Sequence, residues 1–399
     1  MIRATKRALS LSSPIRDFLV YARQLEAKGI NVLKLNIGDP NKFDFETPRH
    51  IRDALCRAVE ICDNGYADAE GIKELRNAIA EKEREKNGID LNPEDIAITT
   101  GVTEAIQAVV AAAIDPGEEL LLPGPGYPTY SEYVAFFDGV PVPYRKDEES
   151  DWQPDLDDMR KKITEKTKGI VVINPNNPTG AVYSEKTLRA IVDLAGEYNL
   201  FLITDEIYDL MSFDAIHYSP STLSSDVPTI ILNGFSKINL LPGWRLGYIA
   251  FRDAYDQLEE IKSAVMRQLR LRLSANQPCQ YAMLEALKGP KDYVEETNRK
   301  LKERATYSYK RINEIDGLST TKPKGAFYIF PKIESNVWKT DRDFVLDVLL
   351  NAHILLAPGS GFCKTYGVNH FRAVFLPSIE ILSEAFDRLE GFMRDRTKH

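Results

Sequence analysis

Lys237 stands directly behind Ser236 in the stretch GFSKINLLPGWRLG, and Arg245 follows eight residues later. A lysine in a turn after an apolar run is ordinarily a solvated charge. It can also form a Schiff base with an aldehyde once it loses its proton. The Ser236-Lys237 pair does not suit a serine/lysine hydrolase, where the two groups stand i, i+3 on a helix. Asp205 and Tyr208 lie three residues apart in TDEIY, Asn177 lies in NPNNPTG, and Gly101-Val102-Thr103 opens a helical pattern. A carboxylate beside a pyridine nitrogen keeps it protonated and makes the ring an electron sink. A helix start with free N–H groups suits a phosphate. Each also has a plainer reading. Asn-Pro and Pro-Thr-Gly are turn formers, Asp205-Glu206 suits a helix N-terminus, and a glycine before a helix is often a tight turn.

These residues need a frame to bring them together. Short apolar runs recur at IAITTG (96–101), ELLLP (119–123), GIVVINP (169–175), LFLITDE (200–206), TIILNGF (229–235) and GYIAF (247–251). They are too continuous for half-exposed strands and too short for helices, as in a parallel sheet buried on both faces. Helical patterns alternate with them. In VTEAIQAVVAAA, Val102, Ile106, Val109, Val110 and Ala113 share one face. That alternation predicts an open α/β sheet covered by helices. The stretch SPIRDFLVYARQLEAKG predicts a helix with Ser13 as N-cap, Pro14 at N1 and Gly29 as its stop. Its apolar face holds Ile15, Phe18, Leu19, Ala22 and Leu25. Near Gly289-Pro290 the texture changes to a long charged helix and then GAFYIFPKI and HFRAVFLP, a smaller α+β unit.

Ligands of open α/β sheets bind outside the carboxyl ends of the strands. The helix start at 101–103, Asn177, Asp205, Tyr208 and Lys237 all follow strand ends. One ligand, pyridoxal 5'-phosphate (PLP), asks for that whole set.

Composition agrees with an enzyme acting on small molecules. The chain has 399 residues, 43% apolar and 28% charged, with a net charge of −8. That balance argues against nucleic acid or an anionic membrane as the main partner. Cys56, Cys62, Cys279 and Cys363 are scattered, without zinc spacing. They read as free thiols, and no metal is expected. Arg3, Lys6 and Arg7 are not followed by an apolar signal region, and no run approaches the ~20 apolar residues of a spanning helix. A cytoplasmic location is expected. There are no repeats or low-complexity segments.

On these motifs the chain resembles the fold-type-I, class I/II PLP-dependent aminotransferases over essentially its whole length. The lysine stretch fits that family's attachment signature at every constrained position. LNIGDP, GYADAEGIKELR, PGPGYPTY, NPNNPTGAVYS, TDEIY and HFRAVFLP match further blocks in order. The resemblance implies a large PLP-binding domain, 46–289, with a mostly parallel seven-stranded sheet, and a small domain from 1–45 and 290–399. It implies that Lys237 holds PLP and then serves as acid and base, and that Asp205 pairs with the ring nitrogen. Asn177 and Tyr208 would bond the ring oxygen, and Tyr127 would stack on the ring. Val102, Thr103, Ser236 and Arg245 would hold the phosphate, with Tyr66 reaching the phosphate of a partner subunit in a homodimer. Arg372 would clamp the substrate carboxylate, with Asn177 beside it, and Gly38 would lie in a closing loop.

Gly234 departs from the serine that many aspartate aminotransferases carry there, which shifts the phosphate grip toward Ser236, Arg245 and Tyr66. Cys363-Lys364 also departs from the small residues of many members. LKLNIGDP, DWQPDLDDMRKKIT and RLSANQP resemble the prokaryotic alanine aminotransferases most closely. That branch implies L-alanine plus 2-oxoglutarate giving pyruvate plus L-glutamate, ping-pong through pyridoxamine phosphate. Aspartate or aromatic donors, or a PLP lyase on the same fold, stand as alternatives. A transcription regulator would need a DNA-binding segment before the first motif. A dinucleotide oxidoreductase would need GxGxxG after the first strand, which is absent. Arg270 and Arg272 lie where a chain could reach across a dimer. His217, His353 and His370 read as structural, without a consistent partner.

Overall fold

In a computed structural model, residues 2–61 and 64–397 are described. Eight strands form the main sheet. Their order across it is Ile96–Thr99, Gly247–Arg252, Thr229–Gly234, Phe201–Asp205, Thr167–Ile173, Glu119–Gly124, Val140–Asp147 and Gln153–Pro154. The four strands from Thr229–Gly234 to Glu119–Gly124, and Val140–Asp147 beside them, pair in parallel. Gly247–Arg252 is antiparallel to both neighbours, so Ile96–Thr99 runs the same way as Thr229–Gly234.

Six of these strands are the apolar runs. Ile170, Val171, Ile203, Ile230 and Ile231 are almost fully buried, each contributing about 1.5–3 kcal/mol by burial. The seventh expected strand is Val140–Asp147. Its segment with Pro141 and Pro143 pairs on one side only, which is where a strand tolerates proline. The sheet has one strand more than the seven expected. The extra one, Gln153–Pro154, is a two-residue antiparallel addition at the edge, too short to leave a periodic signal.

Helices cover both faces. Val102–Ala113 buries Ile106, Val109 and Val110 against the sheet, with Val102 and Ala113 at the margin. The single helix expected over 13–29 is divided. Ser13 and Pro14 start a short 3-10 turn, Pro14–Arg16, in which the Ser13 side chain makes no cap hydrogen bond. The α-helix proper is Leu19–Glu26, and Gly29 ends the segment at φ +81°. The apolar face is as expected, with Phe18, Ala22 and Leu25 buried. Ahead of it lies a helix not anticipated, Lys6–Ser10, capped by Thr5.

The charged stretch after Gly289 is one helix, Asp292–Asn313. Tyr328–Ile329, Phe371–Val374 and Ala357–Pro358 form a small antiparallel sheet. Leu33–Lys34 pairs in parallel with Ile354–Leu355. Phe18, Leu25 and Phe45 share one apolar core with Leu301, Phe327, Phe344 and Phe371. Cys56, Cys279 and Cys363 are free thiols; Cys62 lies outside the described residues. No helix among the described residues is long and apolar enough to cross a membrane, and none of their acidic, His and Cys groups forms a metal-binding cluster.

Candidate active site

The sheet register explains why distant residues meet. Asp205 closes its strand in register with Ile173 on one side and Leu232 on the other. Asn177 follows Ile173 by four residues, and Lys237 follows Gly234 by three. Gly247 pairs with Gly234 and with Thr99. Because its strand is antiparallel, its start lies at the same sheet edge, and Arg245 arrives there too. The approach is close. A Cβ on Gly247 would stand 2.8 Å from Val102 N and 3.0 Å from Asn233 O. At Gly234 a Cβ would stand 3.0 Å from Gly247 Cα, so glycine at this departure from the family pattern is set by backbone contact.

A cavity of about 690 Å3 opens at this edge. It is lined by Gly38, Val102, Thr103, Tyr127, Asn177, Asp205, Tyr208, Ser236, Lys237, Arg245 and Arg372. Tyr66 is not in its wall; its side chain is 80% exposed on the surface of this chain.

Lys237 is half-buried, and its Nζ donates to the Gly38 carbonyl at 2.9 Å. Burial first, then the nearby charges of Arg372 and Arg245, lower its pKa to about 8 against the pull of Asp39 and Asp205. Asp205 is buried, and burial raises its pKa to about 6. Its Oδ2 accepts from the Tyr130 hydroxyl at 3.0 Å and its Oδ1 from the Ile207 amide at 3.3 Å. Neither oxygen hydrogen-bonds a cation among the described residues.

Arg372 is 1% exposed, yet no carboxylate among the described residues pairs with it. Nη1 donates to Asn177 Oδ1 at 2.9 Å, Nη2 donates to the Asn36 carbonyl, and Nε has no partner. The guanidinium lies 4.5 Å from the Tyr328 ring centroid and 4.7 Å from that of Phe362. A buried guanidinium in this state is costly unless an anion completes it.

At the opposite end, Gly101 precedes the Val102–Ala113 helix with φ +78° and ψ 167°, a conformation open to glycine alone. A Cβ there would stand 2.9 Å from Arg245 Cζ and overlap Nη2. Arg245 also donates to Pro242 O at 3.0 Å and reaches Ser236 Oγ at 3.4 Å. The first-turn amides of Val102 and Thr103 have no acceptor within the helix. Together these groups make an anion cradle.

Several groups of the site left no mark in the sequence. Tyr328 lines the cavity, and its hydroxyl is 2.8 Å from that of Tyr208. Its segment, GAFYIF, reads only as a strand. Tyr130 and Arg16 carry no signal of their own. His217 and His370, expected to lack partners, do have them. His217 Nε2 is 3.2 Å from Asn174 O and 3.7 Å from Glu206 Oε2, and burial lowers its pKa to about 3. His370 Nε2 is 3.3 Å from Glu148, and its ring stacks on Phe330 at 5.0 Å. None of the three histidines lines the cavity. Arg270 pairs with Glu70 at 2.8 Å, and Arg272 donates to Ile98 O at 2.9 Å.

An amine of lowered pKa, a buried carboxylate without a cation among the described residues, an anion cradle at a helix start and a guanidinium without a carboxylate fit a phosphorylated pyridine aldehyde and an amino acid. The chain belongs to the aminotransferase class I and II family, whose model matches residues 30–389. It is a PLP-dependent transaminase, with amino acids and 2-oxo acids as its substrates.

Among solved structures it is similar to the alanine aminotransferase of Pyrococcus furiosus. The identity is 57% and the TM-score 0.97, covering 99% of this chain and 100% of that one. The glutamate-pyruvate aminotransferase AlaA of Escherichia coli K12 is 38% identical, covering 93% of each chain. A probable aspartate/prephenate aminotransferase of Aquifex aeolicus is 37% identical over 88% of this chain and 89% of its own length.

Proposed function

We propose that the protein is an alanine aminotransferase converting L-alanine and 2-oxoglutarate to pyruvate and L-glutamate in two half-reactions. The observation that carries the reaction type is the pairing of Lys237 with Arg372 in one cavity. Both line the same cavity, where Arg372 would take the carboxylate of an amino acid and Lys237 would serve its Cα. The donor is inferred from relatives that span the chain and are named alanine or glutamate-pyruvate aminotransferases.

When bound, PLP supplies an aldehyde that takes up the amino group and a ring that accepts electron density from the substrate Cα. The protein does the rest. With a pKa of about 8, Lys237 Nζ is unprotonated often enough near neutral pH to take the Cα proton and return it. Asp205 stays anionic there, since its pKa of about 6 lies below neutrality, and supplies the countercharge for a protonated ring nitrogen. With Asn177 Oδ1 engaged by Arg372, the amide N–H groups of Asn177 face an acceptor as donors, as does the Tyr208 hydroxyl. Val102, Thr103, Ser236 and Arg245 would hold the phosphate, and Tyr127 would cover the ring. A dicarboxylate needs a second cation, and Arg16 stands in the cavity wall.

We further propose the two-domain division at 1–45 and 290–399 against 46–289, a cytoplasmic homodimer, and Tyr66 as a phosphate contact to the partner. Tyr66 is 80% exposed on this chain, as a residue reaching a partner would be.

The test is steady-state turnover with both substrates, following pyruvate and glutamate. Equal formation of the two, abolished in Lys237→Ala, is expected. Release of ammonia or CO2 in place of glutamate would assign a lyase.

A further inference from the structure

Tyr328 lies outside every motif that marks the site, yet it touches three of its working parts. Its hydroxyl is 2.8 Å from the Tyr208 hydroxyl. Its ring face carries the Arg372 guanidinium at 4.5 Å. Its hydroxyl also fills the space where a Cβ on Gly38 would stand, and the Gly38 carbonyl holds Lys237. Both phenols are buried, and neither hydroxyl makes another hydrogen bond to a described residue.

Two neutral phenols in contact share one O–H···O bond, and one proton of the pair is left over. Burial raises both phenol pKa values, that of Tyr328 to about 12, so both keep their protons at working pH. The charges around the pair are Arg372 and Asp205, with Tyr127 as a further phenol. If Tyr328 donates to Tyr208, the Tyr208 proton is the free one, and it points to an acceptor in the cavity. The reverse order would spend the Tyr208 proton on Tyr328.

We propose that Tyr328 is a positioning residue that donates to Tyr208 and thereby fixes the Tyr208 O–H toward the ring oxygen of the bound cofactor. This rests on the PLP reading of the cavity. A chain of two phenols polarises its terminal donor, so the Tyr208 bond is also strengthened. A donor on the ring oxygen competes for the electron density that holds the proton on the lysine–cofactor linkage. It therefore lowers the pKa of that linkage.

The test is absorbance titration of the holoenzyme. Tyr328→Phe keeps the ring under Arg372 and removes only the hydroxyl. The linkage pKa is expected to rise by about 0.5, against about 1 or more for Tyr208→Phe. The double variant should titrate like Tyr208→Phe alone, and the KM for the amino acid should stay within about twofold in Tyr328→Phe. A ring-fluorinated tyrosine at 328, a stronger donor, should move the pKa below the unmodified value, which keeps the test open if Tyr328→Phe folds poorly. Tyr328→Phe titrating like the unmodified enzyme while Tyr208→Phe shifts would overturn the inference and leave the function standing. So would full additivity of the two substitutions, or a change confined to KM. Absence of any cofactor band in the unmodified protein would remove the reading of the cavity, and this inference with it.

Discussion

Arg372 and Asn177, 195 residues apart in the chain, are joined by a 2.9 Å hydrogen bond from Nη1 to the amide oxygen. The guanidinium expected to hold substrate and the amide expected to hold cofactor are therefore one unit. Lysine has a single point of attachment and cannot make the Asn177 and Asn36 bonds while presenting a fork. Arg372→Lys should raise the KM for the amino acid by about 10–100-fold and, by releasing Asn177 Oδ1, also shift the pH titration of the cofactor band. Steady-state kinetics with paired spectra measure both.

Gly101→Ala tests the phosphate cradle. The new methyl group meets Arg245 and is forced to φ +78°. Strain of about 1–3 kcal/mol at this point should weaken PLP binding by roughly 10-fold or more. Fluorescence titration of the cofactor-free protein reads it, and an unchanged Kd would place the phosphate elsewhere.

Asp205→Asn separates function from stability. The carboxylate is buried without a cation, and asparagine removes that charge while keeping a hydrogen-bond acceptor. The cofactor-free variant should melt at a higher temperature than the unmodified protein at pH 8. Its amino-transfer rate should fall by at least about 100-fold.

The same physics sets a pH dependence. Burial raises Asp205 from 3.8 to about 6 and Glu206 from 4.5 to about 7. Between those values each carboxyl holds in the folded state a proton that the unfolded chain has released, so these two groups contribute stability that falls as pH rises from about 4 to about 7, partly offset by His217, whose pKa burial lowers from 6.5 to about 3. Lys237 acts oppositely: its folded pKa of about 8 lies below 10.5, so its contribution to stability recovers as pH rises across that interval. Denaturant melts of the cofactor-free protein across pH 4–7 should show the decline, reduced in Asp205→Asn.

Behind the site, Asp209 Oδ2 accepts from Lys82 at 2.9 Å, Lys86 at 2.6 Å and Asn233 at 3.0 Å. Glu83 accepts from Tyr248 at 2.6 Å in the same buried cluster. It ties the turn carrying Asp205 and Tyr208 to the strand that leads to Lys237. The two lysines hold the Asp209 carboxyl far below its usual range despite burial. Asp209→Asn leaves Lys86 without its carboxylate, while Lys82 keeps Glu83 at 2.8 Å, and should cost about 3–5 kcal/mol of stability, read by thermal or denaturant unfolding.

The strands and their polar ends were legible because buried parallel strands leave unbroken apolar runs, and the residues just past each run must face the ligand edge. The positions of Lys237, Asp205 and Asn177 came from that logic, and the cavity brings them together. The hidden features depend on long-range contact. Val140–Asp147 carries prolines that only its one-sided pairing tolerates. Tyr328 sits in a strand whose partner, Phe371–Val374, is some 45 residues away, so no local period marks its approach to Tyr208. The split of the first helix reflects Pro14 starting a turn tight enough to be a helix of its own.

The proposed chemistry requires that an amino acid, with alanine preferred, gives up its amino group at Lys237. A decisive experiment mixes the PLP-loaded protein with one amino acid at a time, without a 2-oxo acid, and follows the cofactor band in a single turnover. Alanine should convert the band faster than aspartate or phenylalanine, with stoichiometric pyruvate, and Lys237→Ala should release no pyruvate. Conversion by alanine no faster than by aspartate or phenylalanine, or turnover in Lys237→Ala, would overturn that chemistry.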